Sequence, residues 1–140
     1  MLYKPDNFST KDKNTCLKAL TYILHLSPHN KLKKECMLLQ LRRIGINEDK
    51  FDDSKSACSK ETLINNLKNL DNIRAQRFII REMIILAVSD KEVTDREILD
   101  IYEIAETIGI SGEKVGDFFI WAAKGIEWMM EGIQLVEEDL

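Results

Sequence analysis

The chain has 140 residues, a formal net charge of −4 and 44% hydrophobic residues. This length can bury a core and the composition is that of a soluble globular protein, so we expect one domain over residues 1–140. The sequence pI of 5.3 argues against a nucleic-acid-binding domain, which would be strongly basic. No run approaches about 18 uncharged apolar residues and no secretory signal is visible, so we predict no membrane span and expect a cytoplasmic protein.

The positions of helix-breaking residues between apolar segments predict an all-α bundle of six to seven helices. Two prolines and six glycines favour long helices over many short strands. The polar segment Asn47–Lys60 is predicted to be a loop with a short turn of helix around Phe51. We predict helices from Ser9 or Thr10 to about Leu26, about Leu32 to Ile44, about Lys60 to Leu70, Asp71 to near Val88, about Asp95 to Ile108, and from the cap at Ser111 onward.

The three cysteines are Cys16, Cys36 and Cys58. An odd number at wide spacing favours reduced thiols over disulfides. Each lies among apolar residues at helical spacing, so we expect buried thiols that behave as small hydrophobic side chains.

Charge is distributed unevenly along the chain. Residues 1–89 carry 16 basic and 10 acidic side chains, whereas residues 90–140 carry 4 basic and 14 acidic ones. We favour the interpretation that these charges lie on the solvated faces of amphipathic helices. Attraction between the basic and the acidic half, within one molecule or between the two molecules of a homodimer, stays open. Arg74, Arg77 and Arg81 form a stripe that we expect to pair with the acidic helix.

The segment 87–110 is the most acidic part of the chain. Thr94-Asp95-Arg96-Glu97 has the pattern of a capping box, which explains Glu97 without a ligand. Asp90 and Glu92 add charge that the cap does not explain, and carboxylates are the ligands that Ca²⁺ and Mg²⁺ prefer. The spacing is not that of an EF-hand. A divalent cation site and a salt-bridged acidic face therefore both remain open.

A repeat underlies this organisation. YILHLSPHNKLKKECMLLQLRRIGI and IILAVSDKEVTDREILDIYEIAETIGI share an apolar helix end, a serine, a polar turn, a glutamate near the helix start and Ile-Gly-Ile. In this alignment Glu35 corresponds to Glu97. We therefore predict two helix-turn-helix units, at about 10–46 and 71–110, followed by C-terminal helices over 111–136.

The second unit resembles the tellurite-resistance TerB-like family, whose fold also occurs in the N-terminal part of some membrane-linked DnaJ-type co-chaperones. The resemblance is carried by Asp90, Val93, Glu97 and the Gly109 stop. It implies a cytoplasmic helical domain that serves as a platform for other proteins. It also implies a divalent cation, calcium or magnesium, held through acidic side chains. Its candidate metal ligands are Asp90 and Glu97, with Glu92 as a neighbour and Glu35 from the first unit.

The leading functional hypothesis is thus a non-enzymatic stress-response or protein-interaction module. Self-assembly through the two oppositely charged halves is an alternative, and metal-assisted hydrolysis at the acidic turn is a weaker one. The aromatic and methionine-rich segment Trp121–Met130 is a candidate protein contact surface. We nevertheless expect these side chains to fill the domain's own core.

Overall fold

The computed structural model describes residues 8–27, 30–48, 53–90 and 92–138 of the chain. These residues form helices and no strand, which confirms the all-α prediction. The seven described helices are α1 (Thr10–Leu26), α2 (Lys31–Ile44), α3 (Asp53–Ser56), α4 (Lys60–Lys68), α5 (Ile73–Val88), α6 (Asp95–Thr107) and α7 (Gly112–Glu137).

Side-chain caps fix where most of these helices begin. In each case an oxygen of the residue before the helix accepts an N–H of the first turn that lacks a helical partner. Ser9, and not Thr10, caps α1, and Ser59 caps α4. The predicted caps at Thr94 and Ser111 are present. Asn72 caps α5, so this helix begins at Ile73 rather than at Asp71. The predicted turn at Phe51 lies outside the described residues.

The two predicted helix-turn-helix units are α1–α2 and α5–α6, and both end in the same way. Gly45 and Gly109 adopt left-handed conformations with φ of +90° and +94°. The N–H of Ile46 then bonds to the carbonyl of Leu41, and that of Ile110 bonds to Ala105. This helix ending favours glycine, because a side chain strains the backbone there. The repeated Ile-Gly-Ile is therefore a repeated helix stop.

The structure changes the register of the repeat. The third residue of α2 is Lys33 and the third residue of α6 is Glu97, and each lies twelve positions before its stop glycine. Lys33, and not Glu35, is thus the counterpart of Glu97. The alignment on Glu35 was wrong because it matched residue type instead of position after the helix cap.

The core is built around α5, which contacts α1, α2, α6 and α7. Its side chains Ile79, Ile80, Met83 and Ile84 are fully buried. A continuous apolar cluster extends from them into every helix longer than one turn. Cys16 lies in this cluster as predicted, while Cys36 and Cys58 are half-buried at its edge.

The aromatic segment of α7 differs from the expectation. Trp121 and Trp128 are 52% and 75% exposed, and Val115 and Ala122 are the buried residues of this helix. The expectation that these aromatics fill the core was wrong. For Trp128 the reason is length: α7 has 26 residues and α5 has 16, about 39 Å against about 24 Å, so α7 extends beyond its packing partner. No described helix is long and apolar enough to cross a membrane.

Candidate functional site

The acidic turn between α5 and α6 lies against the turn between α1 and α2. The side-chain amide of Asn30, the cap of α2, donates to the Asp90 carboxylate. An open depression of about 580 Å³ lies between the two turns, and its lining includes Ser27, Asp90, Glu92 and Thr94. The structure therefore brings the two pseudo-equivalent turns to one place, as a two-unit bundle requires.

Lys33 is the centre of this place. Its Nζ lies 2.9 Å from Oε1 and 2.8 Å from Oε2 of Glu97, and both side chains are fully buried. The same ammonium lies 3.3 Å from Ser27 Oγ and 3.7 Å from Asp90 Oδ1. A buried ammonium is costly unless it is paired and hydrogen-bonded. Four oxygens from three side chains meet that requirement here.

Glu97 belongs to the capping box as well as to the ion pair. Its backbone N–H donates to Thr94 Oγ1 at 3.1 Å, and its Oε1 accepts from the Thr94 N–H at 3.1 Å and the Thr94 hydroxyl at 3.0 Å. The predicted capping box is confirmed. One carboxylate thus holds the start of α6 and, through Lys33, the start of α2.

Asp90 is held in its ionised form. Burial by itself would raise the pKa of this carboxyl group. The N–H of Glu92, the amide of Asn30 and the charge of Lys33 outweigh that effect and hold the pKa below its ordinary value of 3.8. Asp90 therefore stays negative throughout the neutral and mildly acidic range.

The other two candidate ligands lie outside the ion pair. Glu92 is exposed, and its backbone N–H donates to Asp90 Oδ1 at 3.0 Å. Glu35 is also exposed, two positions along α2 from the buried Lys33. Residues two apart on a helix point to different sides. The structure thus brings together Asp90 and Glu97, with Glu92 at the rim, and leaves Glu35 out.

These residues do not fit a divalent cation between Asp90 and Glu97. The Lys33 ammonium already lies within 4 Å of both carboxylates, so a metal ion would have to displace it. Across the described part of the chain, no group of three or more His, Cys, Asp or Glu side chains is arranged to hold a metal ion. Calcium or magnesium binding stays a prediction that titration has to decide.

A second buried carboxylate joins α2 to α5. Glu82 is fully buried and pairs with Arg43, and Gln40 Nε2 donates to the Glu82 backbone oxygen at 2.9 Å. Arg81 Nε lies 3.5 Å from its other carboxylate oxygen. Polar contacts therefore dock α2 at both of its ends, through Lys33 and through Gln40 with Arg43.

The carboxylates of Asp100 and Glu103 on α6 have partners on α1 and α4. The hydroxyl of Tyr22 donates to Asp100 Oδ2 at 2.7 Å. Lys60 Nζ lies 2.6 Å from Glu103 Oε2 and 3.6 Å from Asp100 Oδ1. The expectation that the arginine stripe of α5 pairs with this helix was wrong, because α4 lies there and supplies Lys60.

That stripe forms a separate surface, which we call the arginine face: Arg74, Arg77 and Arg81 with Phe78 and Phe118. It surrounds a shallow depression of about 190 Å³. The Arg81 guanidinium carbon lies 4.6 Å from the Phe78 ring centroid and 5.4 Å from that of Trp121. The surface combines positive charge with aromatic rings, a combination suited to acidic and apolar ligands.

The end of α7 carries six large apolar side chains that are exposed. Every residue from 127 to 138 is exposed, and we call this segment the α7 overhang. Such a length of exposed apolar helix is a mark of a binding surface in a soluble protein. Its large apolar side chains are Trp128, Met129, Met130, Ile133, Leu135 and Val136.

Comparison with protein-family models, curated proteins and solved structures finds no match to this chain. The TerB-like resemblance therefore rests on the acidic turn alone.

Sequence reasoning missed Lys33, which the structure places at the centre of the turn. A lysine in a helical repeat is normally read as a solvated side chain. The available signal was the repeat itself. Counting back twelve positions from each stop glycine pairs Lys33 with Glu97, two opposite charges at equivalent positions.

Proposed function

We propose that this chain is a non-enzymatic protein-interaction module whose contact surface is the α7 overhang. The observation that carries the proposal is the exposure of Trp128 and its apolar neighbours over a segment with no buried residue. Burying apolar area is the main favourable term in protein association, and tryptophan and methionine are enriched in interface cores. A helical body that presents one long apolar helix is organised to bind a partner.

The acidic turn has a structural part in this proposal. Its two inward carboxylates face Lys33, so they are engaged in holding α2 against α6 rather than poised for acid–base chemistry. This supports a non-enzymatic role. A stress-response role of the TerB-like kind is supported by the resemblance of the turn alone.

Site-specific photocrosslinking tests the contact surface. A photoreactive amino acid replaces Trp128 in one variant and Lys68, an exposed residue of α4, in a matched control. Irradiation of cells that express the full chain should give discrete protein adducts from position 128 and none from position 68. Equal or absent adduct formation at the two positions would overturn the proposal.

A further inference from the structure

We infer that the α7 overhang binds the arginine face of a second copy of this chain, so that two copies form a reciprocal dimer. The inference rests on the proposed function, since it names the partner of the same surface. Both surfaces occur on every copy, and a two-fold axis would therefore make the contact twice.

Charge complementarity points to this partner. The overhang contains Glu127, Glu131, Glu137 and Glu138 and no basic residue. The arginine face presents three guanidinium groups, with Arg74 and Arg77 exposed. Two overhangs packed through their glutamates would repel each other, whereas the arginine face offers these glutamates opposite charges, so overhang against arginine face is the favoured pairing.

The spacing of the charges also matches. At about 100° per residue, Glu127, Glu131, Gln134 and Glu138 fall in a strip about 60° wide. Trp128 and Leu135 flank this strip on one edge, and Met130 flanks it on the other. The three arginines of α5 fall in a strip of the same width. Glu127 and Glu131 are four residues apart and the exposed Arg77 and Arg74 are three apart, about 6 Å and about 4.5 Å along the axis. Antiparallel helices can therefore place Glu127 opposite Arg77 and Glu131 opposite Arg74.

Apolar contacts would accompany these ion pairs. Beside the arginines, Phe118 is half-buried and Trp121 is exposed. Ile73, at the start of α5, is 54% exposed. These three residues offer rings and an aliphatic side chain to Trp128, Leu135 and Met130 of the other copy, the apolar side chains nearest the glutamate strip. Stable interfaces bury about 800 Å² on each partner, and two symmetric contacts contribute twice to that area.

The contact has to form between molecules. Within one copy the overhang begins beyond Ala122, the last buried residue of α7, and all of it is exposed. The arginine face of the same copy lies beside Phe118 and Trp121, at the other half of α7. An anionic membrane is a poorer partner, because the carboxylates of the overhang would be repelled by its surface.

Charge reversal with complementation tests the dimer. One variant is Glu127→Lys/Glu131→Lys, the other is Arg74→Glu/Arg77→Glu, and both change exposed side chains only. The mass of the wild type in solution, by light scattering or sedimentation, should be that of a dimer that weakens as salt rises from roughly 50 to 500 mM. Each variant alone should dimerise about tenfold or more weakly. An equimolar mixture should restore a 1:1 heterodimer, because both contacts are again attractive.

The matched control is Lys31→Glu/Lys34→Glu, which reverses two exposed charges on α2 and should dimerise like the wild type. Circular dichroism melts establish that all variants are folded. Variants that dimerise normally, or a mixture that stays monomeric, would overturn the inference.

Two further outcomes separate this inference from the proposed function. A monomeric wild type whose position-128 crosslinks lead to a different protein overturns the second copy as partner and leaves the contact surface intact. A monomeric wild type that gives no protein adduct but floats with phosphatidylcholine vesicles overturns both.

Discussion

Lys33 Nζ lies 2.8 Å from Glu97 Oε2, and neither side chain is exposed to solvent. The two residues occupy the same position in the two helix-turn-helix units, so the pair lies where the units face each other. A positive and a negative charge at these equivalent positions attract, whereas two carboxylates would repel. The ion pair therefore specifies how the two halves of the bundle meet.

Removing one partner of this pair should be costly. We expect Lys33→Met to lower the free energy of unfolding by about 3–5 kcal/mol, because Glu97 would remain buried and unpaired. Urea denaturation measures the change, and Lys34→Met, at the exposed neighbour, is the control. The double variant Lys33→Met/Glu97→Gln should recover a large part of the loss, since glutamine keeps the cap without the charge. A loss below about 1 kcal/mol for Lys33→Met would show that the pair is not strongly coupled.

The same geometry predicts how the protein responds to divalent cations. Calcium or magnesium up to about 1 mM, the range of weak protein sites, should leave the Tm of the wild type unchanged, because Lys33 holds the place between the carboxylates. Lys33→Ala frees Asp90 and Glu97, and its Tm should rise with added cation by mass action. Thermal melts of metal-stripped protein decide this. A wild-type Tm that rises with cation, and that stops doing so in Asp90→Asn/Glu97→Gln, would instead support the metal site that the sequence suggested.

Asp90 should make stability depend on pH on the acidic side. Its pKa is lower in the folded protein than its ordinary value of 3.8. A lowered folded pKa contributes stability that is present above the unfolded value and is lost as pH falls through the folded value. Denaturant unfolding should therefore show that the free energy of unfolding falls less steeply below about pH 4 in Asp90→Asn than in the wild type. If the free energy of unfolding falls equally steeply with decreasing pH in the two proteins, this assignment is contradicted.

Tyr22 should contribute through its hydroxyl group. Burial, and then the hydrogen bond to Asp100, raise the pKa of Tyr22 above its ordinary range, so the hydroxyl remains a donor at all physiological pH values. We expect Tyr22→Phe to cost about 1.5–3 kcal/mol, the usual range for a hydrogen bond to a charged group. Tyr102→Phe is the matched control, since its ring stays stacked on Phe119. Equal effects of the two substitutions in urea denaturation would argue against the Asp100 bond.

The sequence by itself determined the helices and their ends. Thr94 with Glu97 fixes the start of α6, and Gly109 fixes its stop, because capping oxygens and left-handed glycines act within a few residues. The all-α class and the two-unit plan followed from these local signals. The acidic turn was also placed correctly as the link between α5 and α6.

Only the tertiary structure decided what those side chains meet. Lys33 and Glu97 are 64 residues apart, and their pairing depends on how two turns dock, which local periodicity does not encode. The exposure of Trp128 has a similar origin. Its apolar character was visible in the sequence, but whether it is buried depends on where α5 ends beside α7. Whether a side chain is buried depends on the tertiary contacts that it makes, whereas the local sequence sets only its chemical type and its position on the helix.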